Sequence, residues 1–187
     1  MTLRAIILYG PPASGKDTIT AALSRIDGRF TYLRKLKVGG GRSVGYQHVS
    51  LEQLDELRGE GRLAVETHRY GNVYAVDQAD VTAMLTARAT PVVHMGNIPD
   101  VRALSASDPE TWFRVRLHVP REVCEQRSRQ RGDLDTPERL RAWDETFADL
   151  RNHDDGHTFH ICIETHLIDA KEAAQTIVTA LKITNDH

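Results

Sequence analysis

The apolar run LRAIILY, residues 3–9, breaks into GPPASGKDT at residues 10–18 and then into the helix-like ITAALSRI. A G-x-x-x-x-G-K spacing between a strand and a helix constrains the fold more than any other feature of the chain. Gly10 and Gly15 permit backbone conformations and close approaches that a side chain would block. The N–H groups of such a loop, with the positive end of the following helix, surround phosphate oxygens. Gly10, Pro11, Pro12, Ala13, Ser14, Gly15, Lys16, Asp17 and Thr18 therefore form a candidate nucleotide site, with Lys16 supplying a mobile positive charge. Asp17 is the irregular residue, because Ser or Thr is usual after the lysine and the hydroxyl here comes one place later, at Thr18. A carboxylate among phosphates calls for a cation, so Asp17 and Thr18 are the candidate Mg²⁺ ligands. The plainer alternative is an acid favoured by the helix dipole.

Past the loop, strand and helix patterns alternate. Lys16–Arg25 reads as an amphipathic helix, followed by a polar, glycine-rich stretch, RKLKVGGGRSVGYQHVS. Ser50 and Gln53 make a capping box for a helix at about 50–58. RLAVET and NVYAV read as short strands joined by an HRYG turn, and Asp77 caps a helix reaching about Arg88. Pro91 opens the buried-type strand VVHM, with a helix at about 99–106 after it. TWFRVRLHV alternates like a strand, and Pro120 suits the first turn of REVCEQRSRQR. GDLD interrupts, Thr136 and Pro137 restart a helix to about Arg151, TFHICIE is a last strand and DAKEAAQTIVTAL a last helix. This order predicts an α/β fold, a P-loop-type parallel sheet covered by helices on both faces. Phosphate ligands of such sheets bind beyond the carboxyl ends of the strands, where Gly10–Asp17 falls.

A length of 187 residues predicts one domain, and no repeat or long linker divides it. The formal net charge of −2 gives no support for nucleic-acid or anionic-membrane binding. No apolar run approaches a membrane span, and the amino-terminal run leads into the loop without a cleavage site, so a cytoplasmic protein is expected. Cys124 and Cys162 both fall in patterns typical of buried elements and are expected as reduced core thiols. His153, His157 and His160 cluster, but their spacing fits no standard zinc motif.

The loop resembles those of nucleoside-monophosphate kinases, among which adenylate kinases have GPP at the start and a residue between the Lys and the Thr. It also resembles ribose 1,5-bisphosphate phosphokinases of the guanylate-kinase-like group, where Lys is followed by Asp and a hydroxyl residue. The resemblance to guanylate kinases runs from about residue 3 to 180. It implies an acceptor-binding insertion at about 30–76 and an arginine-rich lid at about 127–141. In that family an arginine-bearing segment, a tyrosine and then VS clamp the acceptor's phosphate. Arg34, Lys37 and Tyr46, ahead of QHVS, fall at matching spacing, although a solvated basic loop would read the same way. RYGNVYAV resembles the family's Gly-x-x-Tyr stretch and implies an acceptor contact for Tyr74. The family's base-reading acid falls by strict spacing on Val65, with Glu66 beside it. Glu66 is therefore an acceptor candidate, and so are His68 and Arg69 on the adjoining turn, although a surface turn would read the same way. Guanylate kinases carry two aspartates where PVVHMGN places His94 and Gly96. The lid resemblance implies that Arg127, Arg131 and Arg141 close over ATP, with Arg139 the lesser candidate on the second helix.

These readings together imply an enzyme that uses ATP and Mg²⁺, with Lys16, Arg127, Arg131 and Arg141 as its catalytic residues. The acceptor is expected to be a small phosphorylated molecule, a nucleoside monophosphate or related nucleotide. Ribose 1,5-bisphosphate is the alternative, and a kinase for an unphosphorylated small molecule is another. No nucleic-acid or membrane partner is expected, and the chain is read as a monomer or homodimer. The rival from another class is a non-catalytic guanylate-kinase-like binding module.

Overall fold

The computed structural model describes residues 4–41, 43–69, 71–106, 108–132 and 135–185. Leu3 of the first expected strand, Tyr70 of the HRYG turn, and Asp133 and Leu134 of the expected lid lie outside the described residues.

Strand β1 (Ala5–Tyr9) is buried along its whole length, as a central parallel strand must be when helices cover both faces. It pairs in parallel with β7 (Thr90–Met95) and β8 (Trp112–His118), in the registers Ile6↔Val92 and Leu8↔Val115. Strands β2 (Phe30–Tyr32) and β9 (Ile161–Glu164) complete the parallel sheet at its edges. The spatial order is β2-β7-β1-β8-β9, so these five strands lie 2-3-1-4-5 in their chain order.

Alternation along the strands sorts the apolar side chains into two layers. Ile6, Leu8, Phe113, Val115 and Leu117 pack against Ile19 and Leu23 of α1 (Lys16–Ile26) and Ile177 of α7 (Ala170–Asn185). Ile7, Tyr9, Val93 and Met95 meet Val81 of α3 (Gln78–Thr86) and Ile98, Val101 and Leu104 of α4 (Ile98–Ala106) on the other face. The α5 helix (Arg121–Gln130) follows β8, and α6 (Thr136–His153) is tied to β1 where the Tyr9 hydroxyl donates to Asp149 at 2.9 Å. Burial and the nearby Asp149 carboxylate push the Tyr9 hydroxyl's pKa well above the usual phenol range. Asp149 also accepts the Ile98 N–H at 2.8 Å, which satisfies a donor in the first turn of α4.

A second sheet, ordered β4-β3-β6-β5, comprises β3 (Lys35–Val38), β4 (Tyr46–His48), β5 (Leu63–Arg69) and β6 (Asn72–Asp77). Helix α2 (Leu51–Gly59) covers one face, where Leu54 meets Leu36 and Ala75. Its Ser50/Gln53 capping box forms as expected, and Asp77 caps α3 by accepting the Ala79 N–H at 2.8 Å.

The structure differs from the sequence expectations at three places. The glycine-rich stretch after α1 contributes β3 and β4, and β2 precedes it. Residues 35–38 alternate polar and apolar, and pairing to β6 and the contact of Leu36 with Leu54 supply what local propensity lacked. Cys162 is exposed, whereas Cys124 is buried as expected. Strand β9 lies at the sheet edge, and Ile163 takes the inward position of its alternation. Pro120 stands just before α5, not in its first turn. No helix among the described residues is long and apolar enough to cross a membrane.

Candidate active site

The loop leaves β1 at its carboxyl end. A Cβ on Gly10 would stand 2.6 Å from the Leu117 carbonyl oxygen and 2.8 Å from Ser14 Oγ, so only glycine fits against β8. Gly15 caps α1 at φ +90°, a left-handed conformation that glycine adopts without steric cost. Ser14 is buried beneath the loop. The Lys16 ammonium folds back and donates to the carbonyls of Gly10 at 2.6 Å and Pro11 at 2.8 Å.

Arg127, from α5, ties this loop to the far edge of the sheet. Its guanidinium donates to the Ala13 carbonyl at 2.9 Å and to the Thr165 carbonyl at 2.5 Å. With these anchors it acts as a brace on the loop. One helical turn away, Arg131 is exposed, and its Nε donates to the Arg127 carbonyl at 3.3 Å. Burial pushes up the pKa of the Cys124 thiol, which donates to the Pro12 carbonyl at 3.3 Å. The charges of Arg139, Arg131, Lys16 and Arg121 act on this thiol in the opposite sense. Arg141 turns elsewhere, exposed and paired with Glu138 at 2.9 Å. Residues two apart on a helix sit about 200° apart around its axis, so α6 presents only one of Arg139 and Arg141 to the loop. Arg139 is paired with Asp135 at 2.8 Å, and its charge acts on the Cys124 thiol beside the loop.

His94 occupies the carboxyl end of β7, beside the start of α1. Its Nε2 shares a 2.8 Å hydrogen bond with Thr20 Oγ1, and its Nδ1 lies 3.6 Å from Asp17 Oδ1. The ring also packs against Tyr32, with centroids 4.7 Å apart. Thr18 is exposed on the same first turn of α1. Among the described residues no three His, Cys, Asp or Glu side chains gather as a metal-binding group. One carboxylate beside a phosphate-binding loop suits Mg²⁺, which keeps much of its water and takes ligands from the phosphates themselves.

The inner face of the second sheet forms the other wall. Lys35, Lys37, Tyr46 and Tyr74 alternate away from the Leu36–Ala75 face and gather there. Lys37 Nζ lies 5.4 Å from the Tyr46 ring centroid and 5.6 Å from that of Tyr74. Arg34 is exposed and has no hydrogen-bond or ion-pair partner among the described residues. Glu66 and His68 point to the opposite face of β5. Arg58 of α2 donates to both Glu66 oxygens, at 2.8 and 2.9 Å, and His68 shares a 2.8 Å contact with Glu66. The Arg58 guanidinium holds the Glu66 carboxyl below its usual pKa. The structure therefore does not bring Glu66 and His68 together with Tyr46 and Tyr74. Their strand neighbours Thr67 and Arg69 face the inner side, Thr67 bonded to Asp100 and Arg69 to Glu145. The residues that sequence reading passed over are thus Lys35, Thr67 and Asp100, whereas Arg69 is already a candidate on the turn. Period-two alternation from the apolar Leu36 and Val65 would have pointed to the first two.

The two walls meet at the end of β7. The Gly10 N–H donates to the Met95 carbonyl at 3.4 Å, and Arg69 Nη1 lies 3.0 Å from where a Cβ on Gly96 would stand. Gly96 thus gives a cation the room that a side chain would take.

A five-stranded parallel sheet in this order, with a glycine-rich loop after its central strand, is the fold of the P-loop kinases. The structure is similar to a guanylate kinase from Anaplasma phagocytophilum, with a TM-score of 0.70 and 15% identity over 98% of this chain and 87% of that one. A gluconokinase from Sinorhizobium meliloti 1021 is similar at TM-score 0.54 and 16% identity, over 100% of this chain and 96% of the other. A shikimate kinase from Acinetobacter baumannii, solved with shikimate, gives 0.52 and 21% over 98% and 95%. No protein-family model and no curated protein sequence matches the chain.

Proposed function

We propose that the protein is an ATP-dependent kinase that moves the γ-phosphate of MgATP to a small, already phosphorylated acceptor. A nucleoside monophosphate or related nucleotide is the acceptor put forward, with the whole chain working as one unit. The observation that carries this reading is the end of β7. There the loop bearing Lys16 stands across from an inner face of cations and tyrosines. The intact loop, braced by Arg127, argues against a non-catalytic module.

Transfer is direct and in line, so the protein's work is positioning and charge neutralisation. Gly10–Thr18 cradle the nucleotide phosphates, Lys16 swings from its loop carbonyls to the transferred group, and Arg131 and Arg139 close from the lid at about 127–141. Lid closure also keeps water from the γ-phosphate. Bound with ATP and held by Asp17 at its first turn, Mg²⁺ would draw charge from the β- and γ-phosphates. Residues 30–76 present the acceptor. Ribose 1,5-bisphosphate is a second reading, favoured by Arg69 standing against Gly96.

ADP release measured with nucleoside monophosphates, ribose 1,5-bisphosphate and unphosphorylated nucleosides separates these readings. Stimulation by a phosphorylated acceptor is expected. Stimulation by nucleosides alone, or tight ATP binding with no acceptor-dependent release, would overturn the proposal. In the same assay Asp17→Asn should raise the Mg²⁺ concentration for half-maximal turnover about tenfold. An unchanged Mg²⁺ dependence would remove Asp17 from the metal.

A further inference from the structure

We propose that Lys35 and Arg69 form the anion-binding subsite of the acceptor pocket, and that this subsite takes a phosphate monoester. The inference rests on the kinase reading of the pocket and reassigns its principal cation. Lys37 is 2% exposed, and its ammonium donates to the Gly40 carbonyl at 2.5 Å. It is occupied in ordering the β3–β4 connection between two tyrosine rings. Lys35 lies two residues back on the same strand face, about 7 Å away. It is half-buried, with its Nζ 5.7 Å from the Tyr74 ring centroid. Among the described residues Lys35 has neither a hydrogen bond nor an ion pair.

A partly desolvated ammonium without an acceptor is costly, and a bound anion offsets that cost. Asp100 on α4, Arg69 on β5 and Tyr74 on β6 surround it. Burial pushes the Lys35 pKa down to about 8, with Asp100 raising it and Arg69 lowering it further. The carboxylates beside the two cations already have donors. Asp100 Oδ2 accepts from Asn97 at 2.8 Å and from Thr67, and Glu145 accepts from Arg69. Two neighbouring cations favour a dianion placed between them. Gly96 keeps the approach to Arg69 open, since any side chain there would press on its guanidinium.

The test uses the full chain saturated with MgADP, which fills the phosphate loop, and titrates methyl phosphate, a dianion above about pH 7. Saturable binding is expected for the wild type. Its affinity should fall as pH rises through about 8, approaching about tenfold per unit once Lys35 is neutral. Lys35→Arg keeps its charge and should abolish that pH dependence. Lys35→Met and Arg69→Met should each weaken binding at least about tenfold at pH 7, while the exposed Lys171→Met leaves it unchanged. Absence of saturable binding, or equal affinity and equal pH profiles in wild type and Lys35→Arg, would overturn the subsite. Failure to bind MgADP would instead defeat the kinase reading, so the two failures are distinguishable.

Discussion

Replacing Lys16 by Met is expected to lower kcat by about 10²–10³-fold while leaving the folded state in place. The lysine is the loop's own mobile charge, and it now donates to the Gly10 and Pro11 carbonyls. Those bonds are exchangeable. An ammonium held by two neutral carbonyls gains far more from a phosphoryl group in flight, because the charge that develops there is not matched by any group left behind. The variant should therefore bind acceptor normally and bind MgATP only moderately less well. Its loss should appear in kcat. A Lys16→Met protein retaining a third of wild-type turnover would remove this residue from the chemistry.

The second large effect concerns stability. Gly10→Ala places a methyl 2.6 Å from a backbone carbonyl oxygen of β8, which cannot rotate away as a side chain would. Either the loop lifts or β1 and β8 part at Leu117, and such overpacking costs about 2 kcal/mol. A fall in Tm of about 4–8 °C is expected for a chain of this size, together with loss of stabilisation by MgADP. Gly28→Ala is the internal control, since a Cβ there meets nothing within 4 Å. It should melt with the wild type. If Gly10→Ala does so too, the close approach at Leu117 does not constrain the loop.

The central sheet was readable because its strands are runs of apolar residues too short for helices and bounded by turn residues. The caps at Ser50 and Asp77 were equally plain, since a side-chain acceptor before an amphipathic run has few other uses. The second sheet was harder to read. Its strand β3 carries two lysines in four residues, and those lysines are tolerated only because tyrosines from β4 and β6 receive them. That compensation comes from residues distant in the chain, so no local pattern announces it. The exposure of Cys162 likewise follows from the edge position of β9, which is a property of strand order.

The candidate nucleotide loop was legible because it is contiguous in the chain. The acceptor side was legible only in part. Matching spacing drew attention to Lys37, Tyr46 and Tyr74, which share the inner face. It could not tell that Glu66 and His68 face Arg58 and α2, since a single residue of register on β5 reverses every side chain. The same geometry brings Thr67 and Arg69 inward and turns the vacated place at Gly96 cationic. On α6, Arg139 and Arg141 pair with Asp135 and Glu138, ion pairs between residues three and four apart that the arginine spacing alone does not display.

The kinase reading stands or falls on transfer of phosphate to an acceptor. Phosphorus-31 NMR of the protein with MgATP and each phosphorylated acceptor follows that transfer directly. The account predicts loss of the γ-phosphate resonance with matching growth of ADP and of a new phosphorylated acceptor, absent with Lys16→Met. ATP that stays intact with every acceptor, or that yields only ADP and free phosphate, would contradict it.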